Sequence, residues 1–267
     1  MSSPLIVVTN DDGISSAGLR AAAEALAPLG ELLIVAPDRQ WSGAGRSMPI
    51  TVTHESTAVD YTLRDGRRVQ AYEIDATPAH CIIHAMTHFA DRRPALVVSG
   101  INFGENISTE VTISGTVGAA LEAATFHVPA LAVSVEMSVE NHLSGDDTED
   151  YGAAKAFTRR FARLLLENPL PFDADLLSIN LPRNATADTP WHLTRLSRHR
   201  YFVPLPADRD NGDSRPGYRV MDNPESAEPG SDIWCLHHLQ DVSVTPISLD
   251  LTSRVDFGEL KERLLAT

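Results

Sequence analysis

Apolar runs alternate with amphipathic stretches along most of the chain. Residues 5–9 (LIVVT) are a short β-branched run with no charged position, as expected of a strand buried on both faces. In the segment that follows, AGLRAAAEALAPLG, Leu19, Ala22, Ala23 and Leu26 recur at helical spacing until Pro28 and Gly30 stop the pattern. Residues 31–36 (ELLIVA) read as a second buried strand, and strand, helix and strand within about thirty residues predict a right-handed strand–helix–strand unit. Residues 50–74 look extended, with AVDYTL and VQAYEI on either side of an Asp65-Gly66 turn. The stretch TPAHCIIHAMTHFA (77–90) opens with a threonine cap and a first-turn proline and predicts a helix.

The alternation continues with a buried strand at 95–100 (ALVVSG), a helix with a small-residue face at 115–126, and a strand at 130–135 (ALAVSV). An amphipathic helix over 151–167 carries Phe157, Phe161, Leu164 and Leu165 on one side, and a strand follows at 176–181 (LLSINL). After Pro182 the character changes. Residues 204–232 are rich in Pro, Gly, Asp and Asn without a period and read as a long loop or extended arm. Strand-like alternation returns in VSVTPISLDLT (242–252), and a short helix closes the chain. The fold class expected is α/β, a mostly parallel sheet covered by helices on both faces. The expected organisation is a single domain over 1–267, with a core of about 1–182 and 236–267 and an arm of about 183–235.

Composition narrows the possible partners. The 267 residues carry a formal net charge of -14, with 43% hydrophobic and 22% charged positions. Such a surface argues against sequence-independent binding of nucleic acid or anionic lipid, both of which need basic patches. It leaves room for a small phosphorylated ligand, because a cation or backbone amides supply local positive potential. Cys81 and Cys235 are the only cysteines and are expected to be buried free thiols rather than a disulfide framework. MSSPLIVV lacks a basic lead and a long apolar core, and no stretch approaches the roughly 18 apolar residues of a membrane span, so a cytoplasmic protein is expected.

Candidate chemistry gathers at strand ends. In open α/β sheets ligands bind beyond the carboxyl ends of the strands. The first strand ends at NDDG, the second at APDRQWSGAGRS, and the strand at 95–100 at SGINFGENISTEVTISGTVGAA. These loops bring Asp11, Asp12, Ser42, Asn102 and Asn106 to one edge. Their oxygen donors suit a hard divalent cation such as Mg²⁺ or Mn²⁺. SGTVG opening a helix is an anion seat of backbone N–H groups, with the hydroxyls of Ser114 and Thr116 as further donors. A cation beside an anion seat points to phosphate chemistry. Each piece alone is more often an ordinary turn or cap; the convergence carries the reading. His80, His84 and His88, at i, i+4 and i+8, are expected to form a polar helix face rather than a metal site, and His237-His238 to point to opposite sides of a strand.

The segments TNDDGI, VAPDRQWSGAGRS, ATPAHC, VVSGINFGEN, SGTVGAALEA and VSVTPISLDLT occur in an order and spacing that resemble the survival protein E (SurE) family of metal-dependent 5'-nucleotidases. The resemblance covers most of the chain. It implies a Rossmann-like α/β globule with an extended arm in the C-terminal half, exchanged between subunits of a homodimer or homotetramer. It also implies one divalent cation per subunit, Mg²⁺ or Mn²⁺, held by Asp11, Asp12, Ser42 and Asn102. Phosphate contacts are implied at Asn106, Ser114, Gly115 and Thr116. The implied activity is hydrolysis of nucleoside 5'-monophosphates, with 3'-monophosphates and short polyphosphate as further substrates. The chain departs from the family pattern at Ala17, Ala76, His80, Ser108, Glu110, Ile113 and Ala123, where Pro, Gly, Asp, Gly, Asp, Tyr and Gly are usual.

On this reading Asp11 and Asp12 adjoin because a cation offsets their repulsion and polarises the phosphoryl group for in-line attack. Water and an aspartate remain alternative nucleophiles. A haloacid-dehalogenase-like phosphatase is disfavoured because its two acids are separated by one residue, and a nicotinamide dehydrogenase because no G-x-G-x-x-G follows the first strand. The rival of another class is a non-catalytic nucleotide- or metal-binding regulatory module.

Overall fold

The computed structural model describes residues 3–137, 151–206 and 217–266. Its centre is a nine-stranded sheet. The strands in chain order are β1 (Leu5–Thr9), β2 (Glu31–Pro37), β3 (Ser56–Thr62), β4 (Arg68–Ile74), β5 (Leu96–Phe103), β6 (Ala130–Val135), β7 (Leu176–Leu181), β8 (Trp191–Leu193), β9 (Phe202–Leu205), β10 (Gly217–Val220) and β11 (Val242–Ile247). The helices are α1 (Ala17–Leu26), α2 (Pro78–His84), α3 (Gly115–Thr125), α4 (Gly152–Glu167), a single turn α5 (Asp232–Trp234) and α6 (Phe257–Leu265). The sheet order is β3-β4-β2-β1-β5-β6-β7-β11-β8. From β4 to β7 every neighbouring pair is parallel, while β3 and β11 run antiparallel to β4 and β7. The architecture is the expected α/β one.

Period-two geometry distributes the apolar strand residues between two cores. Ile6, Val8, Ile34, Val98, Val133 and Ile179 meet α1 and α4 on one face. Val7, Val35, Val97, Ala132 and Leu176 meet α2 and α3 on the other. The chain runs from β1 to β2 on one side and returns to place β5 on the other. The strand order therefore reverses at β1, and the crevice beyond the carboxyl ends of β1 and β5 is where such a sheet takes a ligand.

Local chemistry sets several boundaries. Thr77 caps α2, accepting from the His80 N–H, and Pro78 fills its first position. Ser114 caps α3 by accepting from the Val117 N–H at 3.1 Å. Both cysteines are buried free thiols. Among the described residues no helix is long and apolar enough to cross a membrane.

The C-terminal half differs in detail from the pattern expected of it. Residues 204–232 are not loop throughout: Phe202–Leu205 and Gly217–Val220 pair antiparallel as a small separate sheet. Four-residue strands are too short to impose a readable period. Beside it Tyr201, Ala227, Ile233 and Leu236 bury Ile107 in a cluster of their own. β8 is not legible either, being three exposed residues that pair, among the described residues, with β11. β11 ends at Ile247 rather than running to residue 252. His237 and His238 lie on a helical turn, Cys235–Leu239, not on a strand, because Ser231 caps the helical turn that leads into it.

Candidate active site

The loop after β1 is built to hold its acids still. Asn10 Nδ2 donates to the Gly13 carbonyl at 3.0 Å, and Gly13 adopts a φ of 97°, a conformation that favours glycine. The Asp11 carbonyl accepts from Trp41 N–H at 2.7 Å, and Ile14 N–H donates to the Pro37 carbonyl at 2.8 Å. These bonds tie the ends of β1 and β2 into one rim.

Asp11 is 4% exposed. Its Oδ1 accepts from the Thr116 hydroxyl at 2.6 Å. The N–H groups of Gly115 and Thr116 also act on its carboxylate. A Cβ on Gly115 would sit 2.7 Å from the Asp11 Cβ and 2.8 Å from Oδ2, so only glycine lets the first turn of α3 approach this closely. Asp12 Oδ1 accepts from Gln40 Nε2 at 3.3 Å. Burial raises the pKa of both carboxyl groups. For Asp11 the Thr116 and Gly115 donors counter part of the rise. For Asp12 the charge of Asp11 adds to it, while the nearby Phe103 N–H and Gln40 oppose it.

The remaining predicted residues lie on the segments that follow β2 and β5. Asn102 is the next-to-last residue of β5, is nearly buried, and donates through Nδ2 to the Gly104 carbonyl at 2.7 Å. Ser42 is exposed on the turn after Trp41. That turn is held to α3: Gly45 N–H donates to the Ile113 carbonyl at 2.8 Å, and Arg46 Nε pairs with Glu122 Oε2 at 2.7 Å. Asn106 is half-buried in the loop between β5 and α3. Direct contacts thus join Asp11 to Gly115 and Thr116, whereas Ser42, Asn102, Asn106 and Ser114 are brought to the same edge by their segments. The Thr116 hydroxyl, expected to face a ligand, is turned to Asp11.

The pair fits a divalent cation. Two adjacent, desolvated carboxylates repel each other, and the buried Asp12 Oδ2 and Asn10 Oδ1 have no hydrogen-bond partner among the described residues. A hard cation would satisfy such oxygens and reverse the upward pKa shifts. Among the described residues no group of three or more His, Cys, Asp and Glu side chains is placed to hold a metal, so a site here would draw on neutral donors such as Ser42 and Asn102.

Two departures from the family pattern acquire structural roles. Ser108 has a φ of 60°; its N–H donates to Asp232 Oδ2 at 2.6 Å, and its hydroxyl donates to the His199 carbonyl. Glu110 Oε2 accepts from Tyr201 N–H at 3.4 Å. Another, Ile113, is 56% exposed just before the first turn of α3. Residues not singled out by sequence also take part: Gln40 on Asp12, and Ser134 and Asn180 on Asn106. Ser134 and Asn180 are the next-to-last residues of β6 and β7, and the strand-end rule would have found both. The polar helix face of His80 and His84 is half-buried and packs against His54, whose Nδ1 lies 3.0 Å from His84 Nε2.

Comparison with known proteins agrees with this architecture. Residues 6–203 match the family described as survival protein SurE. The chain is 44% identical to a 5'-nucleotidase SurE of Thermococcus kodakarensis, over 98% of each chain. It is 40% identical to one from Methanosarcina mazei, again over 98% of both. Among solved structures, a SurE protein from Aquifex aeolicus superposes with a TM-score of 0.74 at 27% identity, covering 98% of this chain and all of that one. The chain belongs to the survival protein SurE family.

Proposed function

We infer that this chain is a 5'-nucleotidase, a phosphomonoesterase that releases phosphate from nucleoside 5'-monophosphates. The observation that carries the assignment to this edge of the sheet is the direct contact between the acid pair after β1 and the first turn of α3. It supports reading a place for a cation beside a place for an anion. The relatives' shared name, 5'-nucleotidase SurE, supports the substrate class.

Asp11, Asp12, Ser42 and Asn102 would hold one divalent cation, Mg²⁺ or Mn²⁺. When bound, it supplies a Lewis acid that polarises a phosphoryl oxygen. The protein groups do the rest. The Asn106 carboxamide and the Ser114 hydroxyl hold the non-bridging oxygens and meet the charge that develops on them, while the Gly115 N–H, engaged with Asp11, brings the acid against the seat. Thr116 completes this seat indirectly, orienting Asp11 through its hydroxyl, and Gln40 does the same for Asp12. Asn10 keeps the loop closed. Cleavage of 3'-monophosphates and short polyphosphate belongs to the same proposal, as does a cytoplasmic location. So does self-association through the segment carrying β9 and β10, where Leu205 and Tyr218 are exposed.

The test is phosphate release from a panel of nucleoside 5'- and 3'-monophosphates with Mn²⁺, Mg²⁺ or EDTA, for wild type and Asp12→Asn. Release that needs metal and falls by roughly 100-fold or more in the variant is expected. Folded wild type that binds nucleotide and releases no phosphate with any metal would instead make the chain a binding module.

A further inference from the structure

The loop that carries Asn106 leaves β5 without joining another strand, so its backbone groups need partners from elsewhere. They find them on two neighbouring strands. Ser134 of β6 and Asn180 of β7 are directly paired in the sheet, and each is 1% exposed. Asn180 Oδ1 accepts from the Asn106 N–H at 2.7 Å, and Asn180 Nδ2 donates to the Asn106 carbonyl at 3.1 Å. One carboxamide therefore holds both backbone groups of one residue. Ser134 Oγ accepts from Asn106 Nδ2 at 2.9 Å, which fixes the side chain as well and leaves its second N–H for a ligand oxygen. Ser178 Oγ lies 3.4 Å from Asn180 Nδ2 and steadies the clamp from its own strand.

Asparagine is the residue this hold needs. Aspartate of the same length would accept from the N–H but place a charged oxygen against the carbonyl. Alanine would leave both backbone groups of Asn106 without these partners in a half-buried setting.

We propose that Asn180, seconded by Ser134, is a positioning residue for phosphate binding: it sets the backbone and hence the carboxamide of Asn106 at the mouth of the site. The inference rests on the reading of Asn106 as a phosphate contact. A misplacement of about 1 Å at such a contact is enough to cost on the order of 100-fold in rate.

The experiment is a double-mutant cycle on the full chain with Asn180→Ala, Asn106→Ala and the pair, alongside Asn180→Asp and Ile179→Val. Ile179 is buried on the same strand in the core that faces α1 and α4, so its truncation lowers stability through that core. Two readouts are taken at a temperature where all are folded: kcat and KM for a nucleoside monophosphate, and the Kd for inorganic phosphate in the presence of Mn²⁺. Asn180→Ala is expected to weaken phosphate binding and lower kcat/KM by roughly 10- to 100-fold, with Asn180→Asp between it and wild type and Ile179→Val near wild type. The pair is expected to be scarcely worse than Asn106→Ala alone. Effects that multiply in the pair, or an Asn180→Ala protein that binds phosphate as tightly as Ile179→Val, would overturn the proposal. Wild type that binds phosphate but hydrolyses no nucleotide would overturn the nucleotidase reading instead, and the phosphate Kd values would still decide the role of Asn180.

Discussion

The Thr116 hydroxyl donates a 2.6 Å hydrogen bond to Asp11 Oδ1, joining positions 105 residues apart in sequence. It locks the acid after β1 to the helix that would seat the phosphate. Thr116→Val keeps the volume and removes the donor, whereas Thr116→Ser keeps the donor. The valine variant should lose about 1–3 kcal/mol of stability, because a buried carboxylate loses its side-chain donor. Its kcat/KM should fall roughly 10- to 100-fold, the usual cost of freeing a group that orients a ligand to a cation. Urea unfolding and phosphate release compare the two; equal behaviour of valine and serine would remove the role given to this bond.

Gly118 lets α3 rest on the turn that carries Ser42. A Cβ there would meet the Gly45 carbonyl oxygen at 2.4 Å and Arg46 N at 2.8 Å, backbone atoms that cannot swing aside. Gly118→Ala should push the 41–46 turn outward, costing about 1–3 kcal/mol as overpacking does. It should also raise the Mn²⁺ concentration needed for half-maximal rate. A metal titration of activity, read with a melting curve, checks both; a variant that melts lower with an unchanged metal requirement would separate this turn from the cation site.

Asp232 is fully buried and accepts from three backbone N–H groups: Ser108 at 2.6 Å, Ser197 at 2.8 Å and Ile233 at 2.8 Å. It pins the loop before α3 to the segment leading into β9. Asp232→Ala strands all three donors and should cost several kcal/mol, in the range of broken buried networks. Asp232→Asn keeps one acceptor and should cost less. Thermal unfolding of the pair measures the order.

Glu105 gives a pH dependence with a defined sign. Burial raises its pKa to about 7 from 4.5, with Glu136 adding and the bonds from Tyr201 and Met137 opposing. The folded state therefore holds its proton more tightly than the unfolded state, and stability falls as pH rises from about 4.5 to about 7, then levels off. The whole effect is about 3 kcal/mol at most. Glu105→Gln removes this component, so its stability relative to wild type should grow across that window. Urea unfolding of both proteins from pH 4.5 to 8 reads the difference; parallel curves would show that Glu105 is not held protonated.

What the sequence determined by itself is whatever is written within a few residues. The buried strands show as unbroken apolar runs, α2 announces its start with Thr77-Pro78, and Asp11 and Asp12 follow β1 directly, so the carboxyl-end rule carries them to the rim. Those signals are local because strand pleat, helix pitch and capping are local. Tertiary structure alone decided the partners of the loop residues. Asn180 reaches Asn106 because β6 and β7 are paired in register, not because of any spacing in the chain. His54 meets His84, and Asp232 meets Ser108, only after loops of dozens of residues have closed. The Thr116 hydroxyl turned inward to Asp11 rather than outward because Gly115 lets the backbone come close enough for a buried carboxylate to claim it. A hydrogen bond depends on distance in space, and between residues 74 or 105 positions apart that distance is set by the order of the sheet.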